Sequence, residues 1–226
     1  MAKRRFLITG CGRSGTGYTA SLLNRLGVEC GHEVLYEVER LAADRAPGWP
    51  ADCPGESSWL AVPFLETLPA GTVVLHQVRH PLAVVRSFVR QNFFGRKHAW
   101  RSFAVRHCPA LGGDDALENT FRYWAHWNRR VERAGELAGL EYLRYRLEDV
   151  DRELVARLLE RVGHPRSPDE IAAALEETSS TTNTAGDRTG DSLSWDALTD
   201  PSLAREVLAL AARYGYDAER LASNAA

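Results

Sequence analysis

A short apolar run, Phe6-Leu-Ile-Thr9, enters a glycine-rich turn, Gly10-Cys-Gly-Arg-Ser-Gly15, and an amphipathic pattern begins at Thr16. No other stretch of the chain restricts the fold so tightly. A buried strand that passes through glycines straight into a helix leaves backbone N–H groups unpaired at the helix N-terminus. Those groups form a cradle for a phosphate-like anion. The spacing from Gly10 to Gly15 fits the P-loop pattern G-x-x-x-x-G, yet Thr16 stands where nucleoside triphosphate sites carry lysine. The cation lies inside the turn instead, at Arg13. Three glycines with Arg, Ser and Thr exceed what a plain strand-to-helix turn requires.

Periodicity predicts strands at 5–9, 28–30, 72–78 and 141–145. Helices are expected at 16–26, from 36 to 44, at 57–68, from 81 to about 92, and at 117–137, 151–162, 168–177 and 202–214. Pro81 suits the first residue of a helix, and Ser57 or Ser58 suits an N-cap. Residues 47–55, with their prolines and glycines, read as loop. Strands alternating with helices imply an α/β fold, a three-layer P-loop-like domain with a central, mostly parallel sheet. The whole chain, 1–226, reads as one domain. In such folds ligands bind beyond the carboxyl ends of the strands, where the turns after Thr9 and Val78 fall. Residues 93–115 read as a lid or acceptor-binding segment, and residues 179–194 as a polar loop that covers a ligand.

The stretch Arg13-Ser14-Gly15-Thr16 resembles the 5′-phosphosulfate loop of sulfotransferases that use 3′-phosphoadenosine 5′-phosphosulfate (PAPS), in which a strand is followed by Lys/Arg-Ser-Gly-Thr. In that family an Arg and a Ser eight positions apart, across a strand–helix turn, grip the 3′-phosphate. Arg79 and Ser87 keep that spacing. A guanidinium fork and a hydroxyl near a helix start suit a dianionic phosphate. The resemblance implies donor contacts from Gly12, Arg13, Ser14, Gly15, Thr16, Gly17, Arg79 and Ser87, arranged as two anion sites a nucleotide apart. Tyr145 falls where some members place a donor-contacting tyrosine; a core tyrosine on a strand is the other reading. Tyr123-Trp-Ala-His-Trp-Asn128 is similar to the long helix of the family, and Tyr142–Asp149 to its late strand, although Arg146-Leu147 interrupts the pattern before Glu148-Asp149. The likeness runs from Phe6 to about Pro165. Arg188, in the 179–194 loop, is the candidate for a covering cation, with a solvated linker as the alternative.

Sulfuryl transfer in line to an acceptor hydroxyl or amine asks the protein to position groups and stabilise spreading charge. Arg13 is placed to stabilise the leaving phosphate. Cys30-Gly-His-Glu33 resembles the Cys-Gly-Glu-Glu region of tyrosylprotein sulfotransferases, which makes Glu33 the leading general base and His32 its rival. The acceptor expected is a small molecule or glycan. Phe93, Phe94, Trp100 and Phe103, interspersed with Arg96, Lys97, Arg101 and Arg106, either line its site or pack a lid. Two other functions stay open: a P-loop small-molecule kinase, and a non-catalytic protein that binds a nucleotide such as 3′-phosphoadenosine 5′-phosphate (PAP). The kinase would need a lysine after Gly15 and a strand-end Asp for magnesium, and the sequence offers Thr16 and no persuasive Asp.

A net charge of −2 argues against broad nucleic-acid binding, so cationic character must be local to a site. No apolar run approaches the ~20 residues that cross a bilayer. The basic start passes straight into the first strand, and cleavage there would destroy the loop; a cytoplasmic address without a signal peptide is expected. Cys11, Cys30, Cys53 and Cys108 show neither C-x-x-C spacing nor a companion histidine pattern, which predicts reduced thiols and no metal requirement. Cys11, within the loop, reads as a small filler, with an oxidation-sensitive thiol as the other reading.

Overall fold

The computed structural model of the chain describes residues 3–43, 45–113, 115–182 and 193–216. Five parallel strands form one sheet in the order β2-β3-β1-β4-β5. They are β1 (Phe6–Thr9), β2 (Gly31–His32), β3 (Gly55–Ser57), β4 (Val73–Val78) and β5 (Glu141–Arg146). The helices are α1 (Thr16–Arg25), α2 (Pro81–Arg90), α3 (Ala99–His107), α4 (Ala116–Glu132), α5 (Arg152–Arg161), α6 (Pro168–Thr182) and α7 (Pro201–Arg213). The expected α/β architecture of three layers is the observed one.

The alternation of the central strands builds the two outer layers. Phe6 and Ile8 of β1, with Val73 and Leu75 of β4, pack against α1, α5 and α6 through Leu22, Leu23, Leu158 and Ile171. Leu7, Val74 and Val78 face the other way, into a larger core with α2, α4 and α7. That second core is rich in aromatics: Trp59, Tyr123 and Trp127 pack edge-on or tilted, with ring centroids 4.8–6.0 Å apart. Each such buried ring removes enough apolar surface to stabilise the fold by about 2–3 kcal/mol.

Several elements depart from the sequence reading. The strand expected at 28–30 lies later, at Gly31–His32, because Asn24 takes both backbone groups of Cys30: its amide donates to the Cys30 carbonyl at 2.7 Å and its carbonyl accepts the Cys30 N–H at 3.1 Å. The helix expected at 57–68 is a 3₁₀ segment, Trp59–Thr67, with Ser58 as its cap. Pro63 sits inside it, and a missing N–H with a ring clash forbids a regular α-helix there. The helix expected from 36 to 44 is a short 3₁₀ turn, Arg40–Ala43. Residues 93–115 contain a regular helix, α3, whose Phe103 and Ala104 are buried in the aromatic core, as is Phe94 before it. Helix α6 continues to Thr182, into the start of the segment read as a loop.

All four cysteines are free, and burial pushes the Cys11 thiol up to about 12. Cys11 is the buried filler that was expected. Among the described residues no helix is long and apolar enough to cross a membrane, and no group of three or more His, Cys, Asp or Glu is placed to hold a metal ion.

Candidate active site

Strand β1 leads off toward β2 on one side of the sheet, while β4 leads toward β5 on the other. Their carboxyl ends are neighbours, with Thr9 opposite His76. The crevice at such a divergence is where parallel α/β sheets bind ligands. A cleft of about 870 Å³ opens there, lined by Gly12, Arg13, Gly15, Thr16, Gly17, His32, Glu33 and Arg79 together with residues of the 88–100 segment.

The loop between β1 and α1 is held from beneath. The Gly12 N–H donates to the Tyr123 hydroxyl at 2.9 Å, and the Gln77 amide donates to the Ser14 carbonyl at 2.7 Å. Gly15 caps α1 in the left-handed conformation, φ 95°, and a Cβ there would stand 2.6 Å from Leu147 and 2.8 Å from the Gln77 amide. Only glycine fits both demands. Helix α1 has neither a side-chain cap nor an acidic residue in its first turn, so its N-terminal amides and the positive end of its dipole stay available to an anion.

Arg13 is also left-handed, φ 68°. Its Nε donates to the Ser87 Oγ on α2 at 2.8 Å, and Arg79 donates to the Arg13 carbonyl at 3.2 Å. The two anion sites expected a nucleotide apart are therefore joined: the long Arg13 side chain reaches across to α2, and Arg13, Arg79 and Ser87 form one continuous face. Burial and the neighbouring Arg79 push the Arg13 pKa down, while Glu33 opposes the shift. No carboxylate lies within salt-bridge distance of either arginine among the described residues. Two close guanidiniums without a carboxylate, above an uncapped helix start, fit an anionic ligand. Ser14 adds a buried Oγ with no hydrogen-bond partner.

Glu33 follows β2 in the left-handed conformation, φ 56°, with its N–H donated to the Ser57 carbonyl at 3.1 Å. Burial raises its pKa; a hydrogen bond from Trp59 and the charge of Arg13 hold the rise back. His32 lies beside it, Nε2 to carboxylate oxygen 3.9 Å, and burial lowers the His32 pKa. Both candidate bases thus face the cleft that holds Arg13.

Not every residue expected at the site reaches it. Tyr145 is buried on β5 and donates to the side-chain amide oxygen of Gln77 at 2.7 Å, so it supports the residue that holds the loop instead of lining the cleft. Glu148, whose role the broken pattern left in doubt, accepts the His80 N–H and the Tyr216 hydroxyl, both at 2.8 Å, and so fixes the turn after Arg79. Arg188 lies outside the described residues. Of the aromatic and basic set, Phe93, Arg96 and Trp100 line the cleft, whereas Phe94 and Phe103 are core. Trp59, Phe88 and His98 line it as well and were missed. They carry no local pattern that separates a cleft wall from ordinary core.

No protein-family model and no curated protein sequence matches the chain at a significant level. Among solved structures it is similar to a sulfotransferase domain from the curacin biosynthetic pathway, with 16% sequence identity and a TM-score of 0.53 over 96% of this chain and 99% of that one. The chain thus has the fold of a sulfotransferase domain across nearly its whole length.

Proposed function

We propose that the protein is a PAPS-dependent sulfotransferase acting on a hydroxyl or amine of a small-molecule or glycan acceptor. The observation that carries this reading is Arg13 above the uncapped start of α1, bonded to Ser87, next to Arg79, and in one cleft with Glu33. Such a surface suits a ligand with several negative charges, and a carboxylate, Glu33, lines the same cleft. The fold it shares with a sulfotransferase domain supports the same assignment.

The donor supplies an activated sulfuryl group when bound. Amides of Gly15, Thr16 and Gly17 with Arg13 would hold its phosphosulfate end, the Gly12 N–H being engaged by the Tyr123 hydroxyl, while Arg79 and Ser87 would hold the 3′-phosphate. Arg13 stabilises negative charge that grows on the departing phosphate oxygen. Glu33 accepts the proton of the acceptor hydroxyl as the new S–O bond forms. Its raised pKa makes it a stronger base than an ordinary carboxylate, and the lowered pKa of His32 leaves that imidazole neutral beside it. Phe93, His98 and Trp100 form the wall along which an acceptor would lie. A cytoplasmic address accompanies this reading.

Calorimetric titration with PAP, PAPS, ATP and magnesium ATP, beside a labelled-sulfate transfer screen over hydroxyl compounds, tests it. Tight binding of PAP and PAPS with transfer to at least one acceptor is the expected result. Binding of ATP without PAP would replace it with the kinase reading, and PAP binding without transfer or donor hydrolysis with the non-catalytic one.

A further inference from the structure

One buried carboxylate has no part in the scheme above. Glu56, the middle residue of β3, is 1% exposed and does not line the cleft. One of its carboxylate oxygens accepts the backbone N–H of Val34 at 2.9 Å and that of Leu35 at 3.1 Å. The neighbouring strand makes room for it: a Cβ on Gly31 would stand 2.1 Å from the other oxygen. A carboxylate taken out of water is unfavourable unless something uses it. The charged group that faces it is another carboxylate, Glu33, and the remaining titratable neighbours are Cys30, Tyr36 and Cys53. Among the described residues no cation contributes to offsetting it.

What Glu56 grips is the turn that carries the candidate base. Glu33 sits at φ 56°, a conformation that costs a non-glycine residue energy and persists only where the surroundings enforce it. Val34 is 65% exposed and gives that turn no apolar anchor. At Glu33 and Val34 the hold is polar, Glu33 N–H to the Ser57 carbonyl and then the next two amides to Glu56, while the Leu35 and Tyr36 side chains that follow are buried in the aromatic core. We propose that Glu56 is the positioning residue of the site, holding residues 33–36, and with them the Glu33 carboxylate, in the cleft. The base assignment rests on the sulfotransferase reading; the grip on the turn does not.

Burial pushes the Glu56 pKa up to about 7, against the pull of the backbone N–H groups it accepts. Ionised, it accepts those hydrogen bonds with full charge; protonated, it gives up that charge and one oxygen acquires a hydrogen. The turn is therefore held most firmly above neutral pH and loosens as pH falls through about 7. Stability runs the other way: a folded-state pKa raised above the unfolded value means that this group's contribution is complete at low pH and declines as pH rises toward 7. Positioning of the base is thus obtained against the preference of the fold.

The test begins with the unmodified protein, free of ligand. The amide resonances of Val34 and Leu35 are expected to titrate together with a midpoint of about 7, and this titration should vanish in Glu56→Gln. Turnover, read as label moved from PAPS to an acceptor found in the transfer screen, should fall about 10- to 100-fold in Glu56→Gln. PAP affinity by calorimetry should stay as in the parent, and the limb of the pH–rate profile near neutrality should disappear. Absence of titration at both amides in the parent protein overturns the proposal. So does a Glu56→Gln variant that keeps the parent's turnover and pH profile. A protein that binds no PAP sinks the sulfotransferase reading alone, and the amide titration then decides by itself whether Glu56 holds the turn.

Discussion

The two walls of the cleft are built in different ways. On one side, Gly12, Arg13, Gly15, Thr16, Gly17 and Arg79, with Ser87 bonded to Arg13 outside the lining itself, come from two short segments that follow strands, and much of what they offer is backbone N–H at a helix start. On the other side, Glu33, Trp59, Phe93 and Trp100 come from loops and short 3₁₀ or helical pieces far apart in the chain, and what they offer is side chains. The first wall is a consequence of local geometry and can be written into a motif. The second exists only because the aromatic core brings Trp59 and Phe93 within 6.5 Å of each other. An anion cradle is thus nearly fixed by sequence, whereas the place for an acceptor is fixed by packing, and it is free to differ among proteins that share the cradle.

That contrast predicts separable effects. The largest is expected for Glu33→Gln, which should lower turnover by roughly 10²–10⁴ while PAP affinity, measured by calorimetry, stays unchanged. The rate should also lose its acidic limb. With the pKa raised, the limb of the parent protein lies above the ordinary carboxylate value of about 4.3: activity is present above it and lost as pH falls through it. A His32→Gln variant that removes the limb, with Glu33 intact, would exchange the two roles. If Glu33→Gln weakened PAP binding as much as turnover, the walls would not be independent.

Arg13→Ala comes next, and here binding and chemistry should fall together. Turnover is expected to drop about 10²–10³-fold, as for loss of a single group that stabilises transition-state charge. PAP affinity should fall about 10-fold or more with the loss of charge-assisted bonds. Calorimetry beside kinetics separates these quantities. Normal PAP binding would move Arg13 off the donor wall, and its bond to Ser87 would then be structural only.

Legibility in the sequence follows the same division. The run from Phe6 to Thr16 announced strand, turn and helix because each element carries its own signal, and Pro81 marked the start of α2 for the same reason. Strand β3 was missed: Gly55-Glu-Ser57 has no β-branched residue and becomes a strand only through pairing with β1 and β2. Glu56, invisible in any pattern, therefore went unnoticed. Tyr145 lies on the expected strand, but a strand's two faces look alike in sequence, and its hydroxyl turned to Gln77. The aromatics at 93–103 split between core and cleft according to neighbours on α4 and in the 59–67 segment, which a linear reading does not contain. Phe94 and Phe103 cannot be told from Phe93 and Trp100 until the fold exists.

A smaller effect, on stability before activity, is expected for Gly15→Ala. The added Cβ must share space with Leu147 and Gln77, and alanine must adopt φ 95°. The cost should be about 1–3 kcal/mol, read as a lowered midpoint in urea. Because Gln77 also holds the Ser14 carbonyl and Tyr145, displacement there should weaken PAP binding in the same variant. Unaltered stability would mean that the loop is not clamped from beneath, and the first wall would then owe its shape to the ligand.

The smallest effect is the one that most directly probes the second wall. Trp100, in the first turn of α3, has 43% of its surface exposed, and its ring stands 6.1 Å from that of His98, which in turn lies 4.7 Å from Phe93. Trp100→Ala removes exposed apolar surface from the cleft without opening a cavity in the core, so stability should change by less than about 0.5 kcal/mol. For an acceptor found in the transfer screen, KM should rise by about 10-fold, as expected for roughly 1–2 kcal/mol of apolar contact. Turnover at saturation and PAP affinity should not move, since the indole touches neither reacting group. Val105→Ala, an exposed change on the same helix that does not line the cleft, is the control and should leave KM alone. A Trp100→Ala variant with altered PAP affinity and unaltered acceptor KM would place the indole on the donor side, and the boundary between the two walls would have to be redrawn between Glu33 and Trp59.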